Sequence, residues 1–128
     1  MGVVKTDGDC FRTAGRLVLD LHAMGVREAR LVHGLVTHPE YEFQHIHAWV
    51  EIEGFVLDYT YKLGFSLPKA VYYAAGKITA EDTASYTEDQ ARTEMCNHEH
   101  WGPWDGGLIS KERIPEEFAT DCKRYPAA

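Results

Sequence analysis

The stretch from 45 to 52 constrains the fold of this chain most strongly, because two kinds of side chain alternate along it. Small and aliphatic residues occupy the even positions, whereas two histidines, a tryptophan and a glutamate occupy the odd ones. A period of two is typical of a β-strand with one face in the core. Glu53-Gly54 follows directly and predicts a two-residue turn, so residues 55–59 are interpreted as the returning strand of a hairpin.

The turn fixes which residues of this hairpin face each other. A two-residue loop pairs Ile52 with Phe55, and counting back along both strands then places Trp49 opposite Asp58. His47 becomes the diagonal neighbour of Asp58 on the same face, about 7 Å away between backbones and within side-chain reach. A shift of one residue would move the two side chains to opposite faces. The hairpin therefore predicts a carboxylate beside an imidazole.

The rest of the chain predicts a mixture of helices and strands, which places the protein in the α+β class. The helices are marked by apolar spacings of three and four, by caps and by glycine stops. The predicted elements are a helix from Cys10 to about Met24, a strand over Arg30–Thr37, a helix opening at Ser66–Lys69 and running through Ala75 with Gly76 as its stop, a short strand or extended arm within 77–86, a helix from the capping box Thr87–Gln90 to about Asn97, a loop over 102–107, and a last helix over 115–125.

Size and charge narrow the class of protein. The 128 residues suffice for one domain, 1–128, with a core of its own. Twenty acidic against 13 basic residues give a net charge of −7, which argues against nucleic acid and anionic membranes as partners. The beginning of the sequence lacks the apolar stretch of a secretion signal. Three cysteines cannot all pair, so a cytoplasmic protein with reduced thiols is expected.

Cys10 stands at the predicted start of the first helix, where a thiol is most readily put to chemical use. Unpaired N–H groups and the helix dipole favour the thiolate there, and the same N–H groups can hold an oxyanion. The plain alternative is a small buried hydrophobe, as most free cysteines are. The predicted pair of His47 and Asp58 favours the first interpretation, because a nucleophile needs a base whose ring is oriented by a third group.

Four segments together resemble a known family. Cys10 opening a helix, the stretch Leu31–Val36, the strand His47–Glu51 and the tripeptide Val56–Asp58 resemble the transglutaminase-like branch of the papain-like cysteine enzymes. Within that branch the leader peptidases of lasso-peptide biosynthesis are the most similar. The resemblance covers roughly residues 8–60. It implies a papain-like core, with an N-terminal helix packed on a small antiparallel sheet.

The resemblance also implies roles for the residues it covers: Cys10 as nucleophile, His47 as general base and acid, and Asp58 as the residue that orients His47. The expected activity is acyl transfer on an amide or ester, as in a peptidase or amidase, with no cofactor. The substrate would be a peptide, a protein or a small amide, and a partner protein could supply its recognition. Trp49, Trp101 and Trp104 are the candidate substrate wall, although the last two would equally close the core.

Two other functions stay open on the sequence alone. One is a protein-binding module that keeps the fold without catalysis. The other is a metal-dependent hydrolase, whose ligands would come from the imidazole and thiol side chains near the cleft. The candidate ligands are His45, His47, Cys96, His98 and His100. The third cysteine, Cys122, lies on the predicted last helix and is interpreted as inert.

Overall fold

One antiparallel sheet of five strands forms the centre of the protein, in the order β4-β3-β2-β1-β5. The computed structural model describes residues 10–38, 40, 42–60 and 64–115. The elements are α1 (Cys10–Ala23), β1 (Arg30–Thr37), β2 (Gln44–Ile52), β3 (Phe55–Asp58), β4 (Phe65–Pro68), α2 (Lys69–Gly76), β5 (Thr83–Tyr86), α3 (Glu88–His98) and α4 (Gly106–Ile109), with a 3₁₀ turn at Ala80–Asp82. The predicted α+β class is confirmed. In this part of the chain, no helix combines the length and apolar character that a membrane crossing requires.

The β2–β3 hairpin has the predicted turn and register. Ile52 pairs with Phe55 and Val50 with Leu57. The two turn residues, Glu53 and Gly54, have φ values of 51° and 84°, the left-handed pair that a type I′ turn requires. The register places the even positions of β2 on one face of the sheet and the odd positions on the other.

Each face of the sheet carries its own core cluster. On one face, α1 and α3 cover an aliphatic cluster that includes Val18, Leu31 and Ala48. On the other face, Trp49 is fully buried with Val32 and packs against tyrosines of α2. The helix-side cluster also includes Cys10, the first residue of α1. The sheet is thus a middle layer, and side chains from both of its faces contribute to the site described below.

The structure differs from the sequence-based prediction at β4. Residues 65–68 pair with β3, from Phe55 opposite Pro68 to Asp58 opposite Phe65, although the sequence predicts a helix opening there. The helix begins only at Lys69. An edge strand tolerates proline because one side of it needs no backbone donor, and this explains why Pro68 can close β4 as well as precede α2.

The other predicted boundaries are close to the observed ones. The segment 77–86 divides into the 3₁₀ turn and β5, and α4 begins inside the predicted loop 102–107, where the Asp105 side chain accepts a hydrogen bond from the Leu108 N–H. The capping box at Thr87 and Gln90 is present. The predicted last helix lies outside the described residues from 116 onward, as does Cys122.

The hairpin turn provides a stability test. At Gly54 an added Cβ would meet no atom within 4 Å, so a side chain there is opposed only by the positive φ. We expect Gly54→Ala to lower the free energy of unfolding by roughly 1–2 kcal/mol, because a left-handed conformation costs an L-residue about that much. Urea denaturation measures the change.

Gly106→Ala is the matched control. Open space also surrounds this position, and its φ is not in the left-handed region. The control should change stability by less than about 0.5 kcal/mol. Equal losses in the two variants would contradict a type I′ turn at 53–54.

Candidate active site

The ring of His47 lies between a thiol and a carboxylate. Its Nε2 is 2.9 Å from Oδ2 of Asp58, and because the carboxylate can only accept, Nε2 donates. The Cys10 side chain interacts with the same ring, and its electrostatic and hydrogen-bonding effects both raise the pKa of His47. The three residues predicted as a triad are therefore brought together in the order thiol, imidazole, carboxylate.

Three elements position these side chains. Cys10 is the first residue of α1, which has most of its sheet contacts with β2. His47 lies in the middle of β2, and Asp58 is the last residue of β3. The site is almost closed to solvent, with exposed fractions of 2% for Cys10, 8% for His47 and 2% for Asp58.

Asp58 accepts hydrogen bonds at both carboxylate oxygens. Oδ1 accepts from the Thr60 N–H at 3.1 Å, and Oδ2 accepts from the Tyr72 hydroxyl at 2.6 Å in addition to His47. A buried carboxylate is costly unless donors replace its lost hydration. Three donors compensate here, which explains how Asp58 can stay ionised inside the protein.

The charges of the site are coupled. Burial alone would lower the pKa of His47, but the electrostatic interactions with Cys10 and Asp58 and the hydrogen-bonding effects of both raise this pKa well above 6.5. Burial alone would raise the pKa of Asp58, but the His47 charge and the hydrogen bonds from His47, Tyr72 and Thr60 lower it to about 2. The two shifts have opposite directions, and both favour an imidazolium beside a carboxylate, the form that holds a proton for a leaving group.

Trp49 is a core residue in the structure, and its predicted contact with a substrate stays a prediction. It is fully buried, and its Nε1 donates to Oε2 of Glu51 at 2.9 Å. The indole lies over β1, where an added Cβ at Gly34 would be only 2.6 Å from it. Because Gly34 has no side chain, the neighbouring strand leaves room for the indole, and Trp49 packs in the core.

Trp101 and Trp104 close the helix-side core. The Trp101 ring packs on α1 at Gly15, where an added Cβ would be 2.7 Å from it. The Trp104 Nε1 donates to the His100 carbonyl at 3.1 Å, and its ring centroid is 4.9 Å from that of His33. Both indoles keep some exposed surface. Their core role is seen directly, and the substrate-wall role stays a prediction.

The candidate metal ligands do not converge. Within the described ranges, no three His, Cys, Asp or Glu side chains form a group that would hold a metal ion. His98 is paired with Glu94 at 3.1 Å, and His100 accepts a hydrogen bond from the Gly102 N–H. Cys96 is exposed on α3. The geometry gives the metal-dependent alternative no support.

His33 and Tyr72 are two parts of the site that sequence reasoning missed. His33 is fully buried on β1, and in the described part of the chain neither of its ring nitrogens has a hydrogen-bond partner. Aromatic rings of Phe11, Tyr86 and Trp104 surround it. Nothing in the sequence distinguishes Tyr72 from the other tyrosines near it. The only signal for His33 in the sequence is its place among apolar residues in the middle of β1.

The comparisons with known proteins leave the site to be judged on its own geometry. No protein-family model, curated protein or solved structure matches the chain.

His33 makes the stability of the protein depend on pH. Burial, followed by the charge of His47, lowers its pKa from 6.5 to about 3. Between about pH 6.5 and 3, His33 therefore binds a proton in the unfolded chain but stays neutral in the folded one. We expect the free energy of unfolding to fall with falling pH between about 6.5 and 3, by at most about 1.4 kcal/mol per pH unit from this residue.

His33→Phe tests this dependence, because it keeps an aromatic ring and removes the titrating group. Urea denaturation at several values between pH 4 and 6.5 should give a shallower slope for this variant than for the unsubstituted chain. An unchanged slope in His33→Phe would show that His33 accepts a proton in the folded state.

Proposed function

We propose that the protein is a cysteine-dependent acyl-transfer enzyme, a peptidase or amidase, with Cys10, His47 and Asp58 as its triad. One observation carries the proposal: a single buried imidazole is hydrogen-bonded to a buried carboxylate, and the same imidazole interacts with the Cys10 thiol. In this arrangement Cys10 can act as the nucleophile, His47 can transfer a proton, and Asp58 can hold the His47 ring in place.

The reaction follows from the position of each group. The Cys10 thiolate attacks the carbonyl carbon of an amide or ester, and the carbonyl electron pair moves to oxygen. The N–H groups at the start of α1 would stabilise that oxyanion, since a helix N-terminus favours negative charge. As the intermediate collapses, the bond to the amine or alcohol breaks and His47 donates its proton to the leaving group. Water then attacks the thioester, His47 removes its proton, and the acid leaves with the thiolate restored.

The placement of the residues also supports a family. A nucleophile at the start of a helix, with its base and orienting carboxylate on adjacent antiparallel strands, fits a papain-like core of the transglutaminase-like kind. The resemblance of residues 8–60 to that branch supports the same assignment. We favour hydrolysis over transfer to an amine, because water is always present. The substrate would be a peptide, a protein or a small amide, with recognition supplied by the chain or by a partner protein.

An activated ester tests whether Cys10 is a nucleophile. With p-nitrophenyl acetate we expect one acetyl group on Cys10, located by mass spectrometry of peptides, and release of p-nitrophenol that Cys10→Ala abolishes. His47→Gln should slow acetylation by about 10² or more, the usual contribution of a general base. This small probe suits a sulfur that is almost fully covered.

Cys96→Ala is the matched control for the thiol itself. Cys96 is exposed on α3, so it would be the more reactive cysteine if access alone decided. Its loss should leave p-nitrophenol release unchanged. Acetylation of Cys96 in preference to Cys10, with release unaffected in Cys10→Ala, would favour a binding module without catalysis.

Asp58→Asn separates the orienting residue from the nucleophile. We expect activity to fall by up to about 10⁴, the cost of losing the orienting carboxylate in a comparable triad, without being abolished as in Cys10→Ala. An amide has only one oxygen, so one of the three donors to Asp58 would face an NH₂ group. The free energy of unfolding should therefore fall by roughly 1–3 kcal/mol. Full activity in Asp58→Asn would remove Asp58 from the site and leave a Cys-His pair.

A further inference from the structure

The second donor to Oδ2 of Asp58 comes from a different layer of the protein. Tyr72 lies on α2, and its hydroxyl donates to the same carboxylate oxygen that accepts from His47. The hydroxyl distance, 2.6 Å, is shorter than the 2.9 Å of the His47 contact. Two donors share the electron density of this one oxygen. Each hydrogen bond therefore makes the oxygen a weaker acceptor for the other donor.

The neighbouring Tyr73 makes a closely similar contact away from the triad. Its hydroxyl donates to Oε2 of Glu51 at 2.5 Å, and the same oxygen accepts from Trp49. None of the residues of α2 is buried, and both tyrosine rings pack against Trp49. The helix is therefore attached to the sheet by two tyrosines of similar burial and chemistry, of which only one touches the triad.

We propose that Tyr72 is a positioning residue for the triad, which holds the Asp58 carboxylate in place and limits how tightly that carboxylate binds the His47 proton. The proposal rests on the proposed function for its catalytic consequence. A base that holds its proton too tightly is a poor acid toward the leaving group, and it is rarely neutral when water must be deprotonated. Because the Tyr72 hydroxyl shares Oδ2 with His47, His47 can both donate a proton to the leaving group and remove one from water.

The groups around this pair come from several elements. His47 faces Cys10 of α1 and Asp58 of β3, and its ring centroid is 6.1 Å from that of His45. His33 of β1 is uncharged over the working range because of its burial among aromatic rings. Asp58 faces only hydrogen-bond donors among the described residues that contact it, and Tyr72 is the one from α2. Removing the Tyr72 hydroxyl thus takes one of the three hydrogen-bond donors away from Asp58.

The experiment is an NMR titration of the His47 ring, which needs no substrate. In Tyr72→Phe the carboxylate loses a donor and becomes a stronger acceptor for His47, so the pKa of His47 should rise by about half a unit. In Tyr73→Phe, which loses an equivalent hydroxyl from the same helix, it should not move. The ring signal is assigned by its absence in His47→Gln.

A second readout connects the shift to catalysis. If Cys10 forms an acetyl-enzyme, the pH midpoint of its deacetylation should move upward in Tyr72→Phe by the same half unit. At a pH below the midpoint, deacetylation should then be about threefold slower than in the unsubstituted chain. Tyr73→Phe should keep the midpoint. Replacement of Tyr72 by a ring-fluorinated tyrosine, a stronger donor of the same shape, should shift the pKa of His47 downward and serves if Tyr72→Phe does not fold.

The outcomes separate the two proposals. An unchanged or lowered pKa of His47 in Tyr72→Phe, or equal shifts in both Phe variants, would overturn the positioning role and leave Tyr72 as an anchor of α2. A shift in Tyr72→Phe without any acetyl-enzyme in the unsubstituted chain would support the positioning of His47 and count against the proposed enzyme.

Discussion

The ionised carboxylate of Asp58 is the group on which the rest of the structure depends. A charge buried this deeply is stable only when its donors are delivered together. Those donors come from β2, from the chain just after β3 and from α2. The hairpin turn, the docking of α2 and the orientation of His47 are therefore parts of one electrostatic arrangement, and a change to any of them is felt at the carboxylate.

The local part of the site could be predicted from the sequence, because local rules determine it. The alternation along β2 and the two-residue turn establish that His47 and Asp58 share a face, and the structure has that register. A helix start at Cys10 follows equally from spacing. These features depend on the period of a strand and on turn geometry, which few distant contacts can override.

The tertiary part of the site could not be predicted in this way. The alternation along β2 predicts that Trp49 lies on the same face as His47, but it does not show that this face is covered. Gly34 on the neighbouring strand leaves the space in which the Trp49 indole is buried. The sequence predicts a helix opening within residues 65–68, but these residues pair with the edge of β3 and form β4. The partner of Tyr72 depends on where α2 docks, which is decided by packing against Trp49 rather than by any signal near residue 72.

The distances along the chain between the members of the site imply an order in which they come together. His47 and Asp58 belong to one hairpin, whose closure needs only a short loop, whereas Cys10 comes from a helix much earlier in the chain. Closing a longer loop costs more entropy, so the acid–imidazole pair can form while the thiol is still remote. The same topology applies in reverse to partial unfolding: if the first turn of α1 frays, the nucleophile separates from a pair that stays intact, and chemistry stops without loss of the sheet.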